Sequence, residues 1–151
     1  MVIRDYEGSV IGAMAERIPL PLSVAMVEAL ACRRAMLFAK EMSIFEATFE
    51  GDAEIVTNAL GVGGSNHPEF GHVINDSLVL ASDFRCCNFY HVKRLSNLVV
   101  HCLARKSKSG NGQQVWIESV LEDIAPLYLK KKKTKTLLQT HAGFRWVMIL
   151  F

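Results

Sequence analysis

The chain has 151 residues, 50% of them apolar and 21% charged. That length suits one domain, and that apolar share supplies a core and argues against wholesale disorder. The net charge of +2 conceals an asymmetry: residues 129–151 hold Lys130, Lys131, Lys132, Lys133, Lys135 and Arg145 and no acid, so residues 1–128 keep 11 of the 17 basic residues against all 15 acids, a net −4. The body is thus no generic basic binder of polyanions, and metal ions or a local basic patch must supply any such attraction. No apolar run reaches the ~18 residues of a membrane span. The start, Met1-Val2-Ile3-Arg4-Asp5, has an early acid and no apolar signal region, so an intracellular chain is expected, cytoplasmic or nuclear, not secreted and without a membrane partner. Cys32, Cys86, Cys87 and Cys102 form no C-x-x-C pair and are read as reduced thiols.

In chain order, residues 1–5 and 9–14 read as two short strands joined by a hairpin turn at Tyr6-Glu7-Gly8-Ser9. Pro19-Leu20-Pro21 is a break, after which Ser23 caps a helix over residues 24–42 rich in Ala, Leu, Met and Arg. From Ile44 to Glu50, Phe45, Ala47 and Phe49 alternate with Glu46, Thr48 and Glu50, the pattern of a half-buried strand. Gly51-Asp52 ends it, and Asp52 suits the N-cap of a short helix over Ala53–Leu60. A loop to Pro68, a helix over Glu69–Asp83, a strand over Cys86–Val92, a tight loop at Arg94–Asn97 and a helix over Leu98–Lys106 follow. Lys106–Gln114 reads as a polar linker and Val115-Trp116-Ile117 as a small apolar anchor. The order β-β-α-β-α-α-β-α is that of a mixed α/β layer. The expected domain ends near residue 128, and residues 129–151, Lys-rich and then apolar, are expected to lie outside it as a tail.

Three residues are candidates for chemistry. At ~100° per residue, Arg33, Arg34, Lys40 and Glu41 cluster on one arc of the first helix, and Glu28 falls opposite them beside Val24, Ala31, Ala35 and Met42. A carboxylate on a core-facing side is costly unless it pairs, binds a metal or reaches solvent at an edge. Asp52, besides its capping role, stands at a strand end where a helix begins, the position at which α/β layers build sites. Two carboxylates converging there would suit Mg²⁺, which takes one or two acids plus substrate phosphates. His101 lies one turn after Asn97 on the last helix and reads equally as a core residue, a surface residue or a weak ligand. No two His form a zinc motif, Gly61-Val62-Gly63-Gly64 lacks the Lys of a phosphate loop, and no nucleophile elbow is present.

These residues also carry a resemblance. Val2-Ile3-Arg4-Asp5-x-x-Gly8, Glu28-Ala29-Leu30-Ala31-x-Arg33-Arg34-Ala35, Glu50-Gly51-Asp52-Ala53, His91-Val92-Lys93-Arg94-x-x-Asn97-x-x-x-His101-x-Leu103-Ala104 and Trp116-Ile117-Glu118 resemble, in order, motifs of the plant ribonuclease H type-1-like, reverse-transcriptase-associated domains. The likeness covers about residues 1–126. It implies a ribonuclease H-like α/β fold, a mixed five-stranded sheet flanked by helices, and cleavage of the RNA strand of an RNA–DNA hybrid with two Mg²⁺ or Mn²⁺ ions. In the family four acids hold the metals; Glu28 matches the one on the first helix and Asp52 the one at the fourth-strand end. The chain begins in what resembles the family's second strand, so the acid of the central first strand has no counterpart and that strand is expected to be missing. His101 stands where the last acid would be.

The resemblance therefore implies Glu28 and Asp52 as metal ligands, with Glu28, Asp52 and His101 as the catalytic set and Lys93, Arg94 and Asn97 as contacts to the hybrid backbone. A monomer that binds nucleic acid and cleaves weakly or not at all is expected. The alternatives are a non-catalytic module for nucleic acid or protein, and a product without a stable fold.

Overall fold

The structure is a computed structural model that describes residues 1–19, 21, 23–93, 98–106, 112–117 and 147–151. The first two strands, β1 (Val2–Arg4) and β2 (Val10–Ala15), pair antiparallel across the expected turn. Gly8 takes a φ of 86° there, which a side chain would strain, and its N–H donates to the Asp5 carbonyl at 3.0 Å. The Asp5 carboxylate accepts from the Ser9 N–H at 2.6 Å, so the turn is tied by its own side chain.

Helix α1 (Val24–Glu41) begins as expected, with the Ser23 hydroxyl accepting from the Met26 N–H at 3.2 Å. It ends with Ser43 in the left-handed region at φ 57°, which lets the Ile44 N–H return to the Ala39 carbonyl at 2.8 Å. Strand β3 (Glu46–Gly51) has the predicted alternation, with Ala47, Phe49 and Gly51 buried. Helix α2 (Glu54–Gly61) takes Ala53, not Asp52, as its N-cap residue, so the capping position expected for Asp52 is corrected by one residue. Helix α3 spans Gly71–Ala81 and strand β4 spans Cys86–His91, both inside the expected ranges. Helix α4 spans Leu98–Lys106 as expected.

Two further strands depart from the sequence reading. Val115-Trp116-Ile117 is more than an anchor, because β5 (Gln114–Ile117) pairs antiparallel with β2 along Gly12–Ala15. Residues Val147–Leu150 form β6, which lies inside the sheet although residues 129–151 are expected outside it. The sheet order is β4-β3-β6-β1-β2-β5. β6 runs antiparallel to β1 and parallel to β3, so the gap expected beside β1 for a missing first strand is closed by the last strand. The physical reason is that a central gap leaves two ladders of backbone N–H and C=O groups unpaired, at about 1–3 kcal/mol for each buried group. An uncharged apolar run of strand length meets that need.

The sheet separates two cores. On one face Ile3, Met14, Ala47 and Phe49 pack with Ala29, Cys32 and Met36 of α1, Val56 and Leu60 of α2, and Val73 and Ile74 of α3. On the other, Val2 and Ala13 pack with Leu103 of α4, beside Trp116. Phe49 is fully buried, with Phe84 against its edge and Phe89 stacked on it, each centroid 5.6 Å away. All four cysteines are free thiols, as expected. No described helix is long and apolar enough to cross a membrane.

Candidate metal and nucleic-acid site

Because β3 runs parallel to both neighbours, the carboxyl ends of β3, β4 and β6 share one edge of the sheet. There Gly51 pairs with His91, the Val92 N–H donates to the Gly51 carbonyl at 2.9 Å, and the Phe151 N–H donates to the Glu50 carbonyl at 3.1 Å. Asp52 follows Gly51 on the link into α2 and is half-buried. Lys93, just past β4, is exposed at the same edge. Such an edge is where ligands of α/β layers bind, since side chains there leave the sheet and meet helix starts.

Glu28 lies in the second turn of α1, on the same face of the sheet as α2. The inward line of α1 runs through Ala29, Cys32, Ala35, Met36 and Ala39, one residue round from the line expected through Val24 and Glu28; Val24 is 77% exposed. Glu28 is therefore half-buried at the flank of the packed stripe rather than at its centre. Burial raises the Cys32 thiol well above its ordinary value, and the Cys87 and Glu28 charges add to the rise. The outward side carries the ion pairs: the Arg34 guanidinium donates to Glu16 at 3.1 Å and to Glu41 at 3.0 and 3.2 Å.

The structure puts Asp52 at the strand edge and Glu28 on a helix of the adjoining layer. His101 is on α4, the helix across the sheet from α1. Arg94 and Asn97 lie outside the described residues. Glu28 and Asp52 each carry carboxylate oxygens, the donor type that a hard cation such as Mg²⁺ takes. Among the described residues no group of three or more His, Cys, Asp or Glu is gathered to hold an ion, so the four-acid, two-ion arrangement has no counterpart there.

One residue of this edge escaped the sequence reading. Phe151 is 3% exposed, and its ring lies where a Gly51 side chain would stand: a Cβ there would fall 2.5 Å from ring atoms Cε2 and Cζ. The place beside the end of β3 is filled by an aromatic ring. The available signal was the unbroken apolar run from Trp146 to Phe151, of strand length and without a charge.

A mixed sheet with α1, α2 and α3 on one face and α4 on the other is a mixed α/β architecture compatible with a ribonuclease H-like fold. A family model described as Reverse transcriptase-like matches residues 1–107, and the chain belongs to that family. No curated protein and no solved structure matched the chain.

Proposed function

We propose that this chain is a ribonuclease H-like nucleic-acid-binding domain that takes RNA–DNA hybrids at the edge formed by β3, β4 and β6. The observation that carries the reading is Asp52 at the carboxyl end of β3, beside the α1 layer that carries Glu28, within the stretch matched by the family model. Lys93, with Arg94 and Asn97, would contact phosphates, which fix position without reading sequence. The body's acidic balance makes this local patch and a bound cation the source of attraction. Glu28 and Asp52 would hold Mg²⁺ or Mn²⁺ together with the substrate's phosphates. When bound, such an ion activates water and stabilises the leaving oxygen of a phosphodiester. The carboxylates' part is to orient the ion's open positions toward the scissile phosphate.

A second reading, a binding module without hydrolysis, is favoured by the ring of Phe151 beside Gly51 and by the lack of a third gathered ligand among the described residues. End-labelled hybrid is incubated with the chain in Mg²⁺ and in Mn²⁺, beside Asp52→Asn. Cutting by the parent and its loss in the variant support the metal site. Hybrid binding that chelation leaves unchanged, without cutting, assigns the second reading. A folded chain that neither binds nor cuts refutes both.

A further inference from the structure

We infer that the slot between β1 and β3 is a strand-acceptor site, and that residues 147–151 of a second copy of this chain can occupy it. β1 and β3 are not neighbours in the sheet. Among the described strands they are bridged by β6, whose partners are Val2, Ile3 and Arg4 on one side and Ala47, Thr48, Phe49 and Glu50 on the other. Without β6 the sheet divides into β1-β2-β5 and β3-β4. The strand that completes the backbone ladder between the two parts, over the core that α1 packs on both, is thus the last strand in sequence. It is separated by residues 118–146 from β5, which sits at the sheet's outer edge.

The slot recognises its occupant by two features. One is the paired ladder, antiparallel to β1 and parallel to β3, which any extended backbone satisfies. The other is shape: the bare Gly51 receives the Phe151 ring. The segment Val147-Met148-Ile149-Leu150-Phe151 meets both and carries no charge. Neither feature distinguishes the chain's own segment from that of another copy, since every backbone bond of β6 is reproduced in trans. β6 also lies beyond the residues matched by the family model, so the slot belongs to the family-matched body and its occupant does not.

Exchange of an identical element is a low-cost route to a dimer, because it makes no new contact and loses none. The connection through residues 118–146 sets the competition. Closure within one chain does not depend on concentration whereas exchange between chains does, so dilute chains stay closed and concentrated or co-refolded chains exchange. The expected monomer is thus the dilute form.

The test uses two full-length variants, Thr48→Cys and Met148→Cys, whose positions are register partners. They are mixed at millimolar concentration, unfolded and refolded together, and oxidised mildly. A disulfide-linked heterodimer several-fold above either variant oxidised alone is expected; the single-variant controls account for the four native thiols. The double variant, Thr48→Cys with Met148→Cys in one chain, reports the closed form by an internal bond at high dilution. An internal bond in the double variant with no heterodimer from the mixture overturns the proposal. Absence of both bonds removes β6 from the slot and overturns it as well.

Discussion

At the residue scale, one tightly constrained point is the contact between Gly51 and Phe151. An added methyl at position 51 meets the ring at 2.5 Å, closer than real side-chain carbons approach one another. Gly51→Ala is expected to cost about 1–3 kcal/mol as overpacking. Because the obstacle is one ring, most of that cost should vanish in a Phe151→Ala background, although that change alone destabilises by opening a cavity. Chemical denaturation of the parent, both single variants and the double variant measures the coupling; additive costs would place the ring elsewhere. The residues of the proposed site were legible in the sequence by a different route. Asp52 stood out because a polar residue closes an alternating strand, and Glu28 because it interrupts an apolar line. Their surroundings were not legible. The N-cap falls on Ala53, and the buried stripe of α1 runs one residue round from the expected one, because both follow from how helices seat on the sheet rather than from local pattern.

At the element scale, the strands and helices from residue 1 to residue 106 were readable because each carries its own signal. Ser23 has the hydroxyl that caps α1, β3 has strict alternation, and Gly8 sits in the turn. β5 and β6 carry weak local signals. Four residues around Trp116 and an apolar run following Lys-rich sequence acquire meaning only from strands far away in the chain. β6 makes a sharp prediction. Ile149 pairs with Ile3 on one side and Phe49 on the other. Proline there has no N–H to give the ladder and its ring crowds the neighbouring strand. Ile149→Pro should cost at least about 1–3 kcal/mol from the group left unpaired. Thermal melts followed by circular dichroism check this; an unchanged midpoint would mean that β6 does not bridge the sheet.

At the scale of the whole molecule, the packed face of the sheet and the carboxyl ends of its parallel strands differ in character. The face under α1, α2 and α3 holds the large aromatic and aliphatic core, and the carboxyl edge of β3, β4 and β6 presents Asp52 and Lys93. Buried Cys32 and half-buried Cys87 are expected to make the core sensitive to alkali. Burial, with the neighbouring Cys86, pushes the Cys87 thiol from 9 up to about 12, and Cys32 moves in the same direction. The unfolded chain therefore loses the Cys87 proton near pH 9 while the folded chain keeps it. Between pH 9 and about 12 the unfolded state binds fewer protons, so stability is intact below 9 and falls as pH rises through that window. Urea unfolding across this range should show the decline, and Cys87→Ala should flatten it in proportion to that thiol's share. A slope unchanged by the substitution would assign the sensitivity to other groups.

The pairing of Val2 with Leu150 has a consequence for folding order. The first and last strands lie side by side and antiparallel, so a short glycine-containing insert would join Phe151 to Met1 as a hairpin, with new ends opened between residues 118 and 146. In that circular permutant β6 precedes β1, and the central pairing of the sheet becomes a contact between neighbours in sequence. In the present chain the same pairing closes a loop of nearly the full chain length. The permutant should therefore fold faster, as its mean sequence separation between contacts drops. It would read, from its first residue, as the strand order that the sequence seemed to lack.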